Sequence, residues 1–191
     1  MARKRSAGIL PFRTRRDGPE LFLVHPGGPF WKNKDEGAWS IPKGEIDPNE
    51  DPLTAARREF REETGLALEG TFIELDPVTI ASGKEILAWA IERDLDAAAI
   101  RSNSFTIEWP PRSGKVEEFP EADRAAWFAW PVALQKVTAG QVPLILQLLS
   151  ILGISATAPI PPVAPPEDEP PGSHAPTEKR EHRKRVPRQK S

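Results

Sequence analysis

Two apolar runs open the chain, SAGILPFR (residues 6–13) and ELFLVH (residues 20–25), both rich in the aliphatic and aromatic residues of strands. The polar TRRDGP between them carries Asp17-Gly18, a hairpin-turn pair, so the two are expected to pair antiparallel. Further strands are expected at TFIEL (71–75), EILAWAI (85–91), SFTIEW (104–109) and AAWFAW (125–130). Between these, the period changes. At 100° per residue, Leu53, Ala56, Phe60 and Thr64 fall on one arc, which predicts an amphipathic helix over 52–64. Asp51 supplies a side-chain cap, Pro52 suits the first turn, and Gly65 supplies the stop. Two more helices are expected at 131–137 and 143–152, each opening on proline. Strands mixed with a few helices point to an α/β or α+β sandwich.

Composition then divides the chain. Its 191 residues suit one core-forming domain, but from Ser155 onward the sequence is dense in proline and charge and has little to bury. The expected organisation is therefore a folded domain over residues 1–154 and a disordered tail over 155–191. The net charge of −2 argues against a protein whose main business is gripping nucleic acid by bulk electrostatics. The tail holds seven Lys/Arg against five Asp/Glu, leaving the body mildly acidic. Its KREHRKRVPRQK cluster reads first as a solvated tail and second as a contact for nucleic acid. Cysteine is absent, which removes disulfides, zinc thiolates and thiol nucleophiles. The basic start MARKRSAGILPF is a poor signal peptide because Pro11 breaks its short apolar run. VPLILQLLSILGI falls short of the roughly 20 residues of a membrane span, so a cytoplasmic protein with no membrane partner is expected.

The helix over 52–64 has a feature that packing does not require. Glu59, Glu62 and Glu63 lie on the arc beside the buried stripe, not opposite it. Glu59 and Glu63 form a like-charge i,i+4 pair, each such pair costing about 0.2–0.5 kcal/mol. Arg57, Arg58 and Arg61 can solvate such a face as ion pairs. A divalent cation turns the same crowding into a binding site, and Mg²⁺ in particular takes few protein carboxylates and completes its shell with water and substrate phosphate.

Gly44, Glu50, Arg58, Glu59, Phe60, Glu62, Glu63, Gly65 and Leu66 match all nine specified positions of G-x5-E-x7-R-E-U-x-E-E-x-G-U, where U is a bulky apolar residue. This stretch resembles the signature of the Nudix hydrolases. The resemblance extends over about residues 6–152 and implies an α/β/α sandwich with a mixed sheet between helices. It further implies hydrolysis of a nucleoside diphosphate linked to another group, with Mg²⁺ or Mn²⁺ as cofactor. By the same resemblance, Glu59, Glu62 and Glu63 ligate metal, Arg58 steers Glu59, and Glu50 supports the loop opened by Gly44.

Similar enzymes add an acid from a later segment as ligand or general base. SGKVEEFPEADRAAWF offers Glu117, Glu118, Glu121 and Asp123, of which Glu118 is preferred by its place before a proline turn and a tryptophan strand. Lys43 stands beside Gly44 and is expected to reach a substrate phosphate as a point charge. Phe30, Trp31, Lys32 and Lys34 mix aromatic faces with cations, a combination suited to a base and its phosphates, and His25 ends a strand nearby. Trp39 is expected in the core. WSIPKGEID is similar to the corresponding segment of diadenosine polyphosphate hydrolases, which ranks a dinucleoside polyphosphate first and a nucleoside triphosphate next. The chain has no tyrosine, so an aromatic stack must come from Trp31, Trp89 or Trp109. Alternatives are a non-catalytic nucleotide sensor and an RNA 5′-pyrophosphohydrolase steered by the basic tail.

Overall fold

The computed structural model describes residues 4–156, so the expectations for the tail lie outside the described residues. Strand β1 (Arg5–Arg15) is the axis of the main sheet. Along one edge it pairs in parallel with β5 (Glu85–Glu92), from Arg5 opposite Glu85 to Phe12 opposite Glu92. Its other edge is shared. From Phe12 to Arg15 it pairs antiparallel with β2 (Gly18–Pro26), and from Ser6 to Gly8 with the short β3 (Lys43–Glu45). β4 (Ile73–Thr79) flanks β5 and β8 (Ala122–Ala129) flanks β2, giving the order β4-β5-β1-β2-β8.

Both faces of this sheet are covered, which explains why β1, β2 and β5 read as continuous apolar runs with no polar alternation. Ala7, Ile9, Phe22, Val24, Trp89 and Ile91 pack on one face against Ala55, Ala56 and Phe60 of α1 (Pro52–Thr64). Leu10, Phe12, Leu21 and Leu23 point the other way, into a core closed by α2 (Trp130–Lys136) and α3 (Val142–Ile151). The result is the α/β/α sandwich implied by the resemblance. Trp89 is only 8% exposed, which removes it from the candidate base stacks.

Sequence pattern and structure part at three places. β3 is too short for any periodicity to signal. It exists because β1 and β2 diverge: Val24 bridges to Ser40, Ile9 N–H donates to the Pro42 carbonyl at 3.1 Å, and the chain at 40–45 fills the fork. β4 starts later than expected and runs past Pro77, which an edge strand tolerates through the register shift between Leu75 and Val78. VEEFP, read as loop, is β7 (Val116–Pro120). It pairs with β6 (Ser104–Glu108) in a two-stranded hairpin apart from the main sheet, and its exposed charges leave no buried alternation to detect.

Candidate active site

Asp51 begins α1, its carboxylate accepting from the Thr54 N–H at 2.9 Å, and Gly65 ends it with φ 73° and its N–H on the Arg61 carbonyl. The sheet fork brings Lys43 and Gly44 against this helix. Gly44 has no room for a side chain: a Cβ there would collide with the Glu59 carboxylate. Lys43 meets the helix through its backbone, whose N–H donates to Glu63 Oε2 at 3.2 Å.

Arg58 organises the remaining carboxylates. Its Nε and Nη2 hold Glu50 at 3.0 and 2.9 Å, Nη1 donates to Glu59 at 2.7 Å and to Glu62 at 3.3 Å, and Nη2 also reaches the Glu45 carbonyl. Glu50 pulls the Arg58 pKa upward most strongly, and Arg58 in turn holds the Glu50 carboxyl below its ordinary value. Burial raises Glu59 despite Arg58, with Glu62 and Glu121 adding to the rise. Glu63 goes furthest, to about 7, chiefly through burial, with Lys43 opposing and Glu59 and Glu121 reinforcing.

Glu121 is thus the acid of the 117–123 segment whose charge reaches both Glu59 and Glu63. Its position follows from the backbone: Glu121 N–H donates to the Asn103 carbonyl at 2.8 Å, and Asn103 N–H donates to the Glu62 carbonyl at 2.9 Å. The preferred Glu118 lies instead on exposed β7, opposite Thr106. The signal for Glu121 was its place between Pro120 and Ala122, at the step from hairpin to main sheet, which only the pairing makes visible.

The expected substrate-binding residues divide into three groups. His25 is fully buried, with Nδ1 2.9 Å from Asp123 and Nε2 2.8 Å from the Lys34 carbonyl, so it anchors the loop after β2 and offers no free atom to a ligand. Trp39 is in the core, as expected, and donates to Asp35. Trp31 lines a cleft of about 400 Å³ together with Lys43, Ser40 and Gln141, while the Lys34 ammonium sits 4.7 Å from the Trp31 ring centroid. Lys32 lines a second cleft of about 560 Å³ with Trp109 and Glu117.

Three glutamates on one helix face, two of them destabilised as anions, are oxygen donors of the kind a hard divalent cation takes. Among the described residues no three acids yet converge as a cation cluster. Arg58 and the Lys43 N–H hold the carboxylates in its place. The donor chemistry therefore fits a hard divalent cation, with Glu59, Glu62, Glu63 and Glu121 as the residues that would hold it.

The family model described as NUDIX domain matches residues 2–148. The chain belongs to the Nudix family. This Nudix chain is 64% identical over 67 residues to an RNA pyrophosphohydrolase of Bartonella henselae, covering 33% of this chain and 36% of that protein. It is 40% identical over 60 residues to the asymmetrical bis(5′-nucleosyl)-tetraphosphatase of Mus musculus, covering 28% of this chain and 41% of that one. The matches thus span well under half of either relative. Among solved structures, the Ap4A hydrolase of C. elegans aligns with TM-score 0.52 at 22% identity over 78% of this chain and 98% of its own. The Nudix domain of Shewanella oneidensis NrtR, crystallised with ADP ribose, aligns with TM-score 0.56 at 18% identity over 80% of this chain and 90% of its own. These likenesses bear on the fold. No helix among the described residues is long and apolar enough to cross a membrane.

Proposed function

We propose that this Nudix chain hydrolyses a phosphoanhydride bond in a nucleotide polyphosphate, with Mg²⁺ as cofactor and a dinucleoside polyphosphate as the first substrate to test. The observation that carries the reading is the electrostatic crowding of Glu59, Glu63 and Glu121, which the protein maintains although it raises the pKa of two of them. A bound divalent cation supplies neutralisation of phosphate charge and lowers the pKa of a coordinated water. The protein's own groups do the rest. Arg58 fixes the directions of Glu59 and Glu62 through its fork of donors. Lys43 meets a phosphate oxygen from the lip of the cleft it shares with Trp31. Glu121, whose charge reaches Glu59 and Glu63, accepts the proton of the attacking water. Most of the rate enhancement comes from such positioning and charge stabilisation.

Two observations order the substrates. The WSIPKGEID segment and the mouse tetraphosphatase favour a dinucleoside polyphosphate. The higher identity to the Bartonella protein supports a second reading, removal of 5′ phosphates from RNA. A phosphate-release screen with and without Mg²⁺ separates them, over diadenosine tetraphosphate, nucleoside triphosphates and 5′-triphosphorylated RNA. Diadenosine tetraphosphate is expected to turn over fastest, and Glu62→Gln to remove at least about 100-fold of that rate. Faster turnover of the RNA reverses the order, and tight nucleotide binding without turnover of any member leaves a sensor.

A further inference from the structure

The outward flank of α1 carries a charge arrangement that neither the core nor the candidate cation site uses. Arg57, Arg58 and Arg61 share an arc of about 100°, next to Glu62. They line one wall of a cleft of about 350 Å³, and Leu68 and Glu69, brought back by the turn at Gly65, line the other. That volume suits a small molecule.

The three guanidiniums are not equivalent. Arg58 makes five hydrogen bonds, to Glu50, Glu59, Glu62 and the Glu45 carbonyl, as many as a guanidinium has N–H donors. It offers the cleft charge alone. Arg57 and Arg61 are exposed, and among the described residues neither side chain makes a hydrogen bond or an ion pair. Arg57 has only the Phe72 ring, 5.9 Å away. The two stand i,i+4, a spacing at which like charges repel, and an anion between them removes that cost.

The opposite wall is fixed. Arg93 donates to the Glu69 carbonyl from Nε at 3.1 Å and from Nη2 at 2.6 Å, and Leu68 is buried in the cluster that holds Phe60. The Glu69 carboxylate is the one acid of the lining and pairs with none of the three arginines. The lining has no aromatic ring, so it suits the charge of a phosphoryl group and not the face of a base. Arg57 and Arg61 also occupy unspecified positions of the G-x5-E-x7-R-E-U-x-E-E-x-G-U signature, so the cleft is a feature of this chain and not of the motif.

We propose that this cleft is a second anion site, which takes a pyrophosphoryl group between the guanidinium forks of Arg57 and Arg61. The ligand class is a small phosphoanhydride anion, free or as the tail of a nucleotide. Binding there requires neither metal nor turnover, so the site stands apart from the hydrolase reading. Arg58 borders both the cleft and the helix carboxylates, which puts a bound anion one side chain from the candidate active site.

Calorimetry of inorganic pyrophosphate against the full chain, in chelator, tests it. Without metal the helix glutamates repel the anion from the candidate active site, so the heat reports this cleft. The double variant Arg57→Gln/Arg61→Gln is expected to bind at least about tenfold more weakly, the effect of losing charged donors. Glutamine matches arginine in helix propensity and both positions are exposed, so the variant should fold. Its melting midpoint without anion should equal or exceed that of the wild type, because a repulsive pair is gone. Lys43→Gln should leave pyrophosphate affinity within about twofold, since that cation lies on a different cleft. ADP should bind within about threefold of pyrophosphate, there being no ring to stack its base. Absence of binding overturns the site, and so does binding that survives the double substitution or falls with Lys43→Gln alone. An ADP preference of about tenfold or more would likewise overturn it, by requiring a base contact that the lining lacks. Failure of the phosphate-release screen would sink the hydrolase and leave these titrations to decide the anion site.

Discussion

The carboxylate of Glu59 occupies the space where any residue other than glycine at position 44 would place its Cβ. Gly44 is thus a steric partner of Glu59, not a flexible joint. Gly44→Ala is expected to leave the fold intact and push Glu59 off Arg58, from which it now accepts at 2.7 Å. A displacement of this kind costs roughly 100-fold in turnover. Kinetics alongside a near-ultraviolet circular dichroism spectrum check it, and full activity in the variant would detach Glu59 from the reaction.

Arg58 carries the next prediction, because a single guanidinium serves Glu50, Glu59 and Glu62 at once. Lysine keeps the charge but not the fork. Arg58→Lys should leave at least one of Glu59 and Glu62 without its donor, Glu50 keeping the Asp47 N–H. The expected destabilisation of the metal-free protein is about 1–2 kcal/mol, discounted because the guanidinium remains 30% exposed. Urea unfolding measures it. Saturating Mg²⁺ should recover part of the loss, since the cation then supplies the counter-charge.

Much of this was legible in the chain. The cap at Asp51, the stripe through Phe60 and the stop at Gly65 each act locally, so the helix and its glutamates could be placed from spacing alone. The two-sided burial of Ile9 and Leu10 likewise shows as a continuous apolar run. What could not be read depends on pairing between distant segments. β3 exists only because β1 and β2 separate, and the charged β7 is held only by its register with β6. His25 looked available in sequence because Asp123 and the Lys34 carbonyl, its partners, lie at positions no local pattern connects. The same limit hides from the sequence that Glu121, and not Glu118, is the acid whose charge reaches Glu59 and Glu63.

The proposed role of Glu121 can be checked directly. Glu121 influences the titration of Glu59 and Glu63, whereas Glu118 faces solvent on the hairpin. Glu121→Gln is expected to lower turnover by at least about 100-fold, the range of general acid–base contributions. Glu118→Gln should stay within about twofold of wild type. The reverse ranking would return the catalytic acid to the hairpin.

Glu63 gives a prediction in pH. Its folded-state pKa of about 7 stands above the ordinary carboxyl value of 4.5, because burial and the neighbouring charges of Glu59 and Glu121 outweigh Lys43. The folded protein therefore binds a proton more tightly here than the unfolded chain does. The stabilisation from this site is fully present below pH 4.5 and is lost as pH rises through about 7. Its ceiling is about 3 kcal/mol. Glu50, Glu45, Asp35 and Asp94 are shifted the opposite way, so their contributions change only at lower pH, whereas Glu59 is raised in the same sense as Glu63 and adds to the change above pH 4.5. The unfolding midpoint of the metal-free protein should accordingly fall as pH rises from 4.5 through about 7, and Glu63→Gln should flatten the fall by keeping the site neutral. Mg²⁺ requires the ionised carboxylate, so the stabilisation it confers should grow over the same interval in the wild type and not in Glu63→Gln. A midpoint that rises with pH in the metal-free wild type would mean that Glu63 is already ionised in the fold, and the electrostatic basis of the cation site would fail with it.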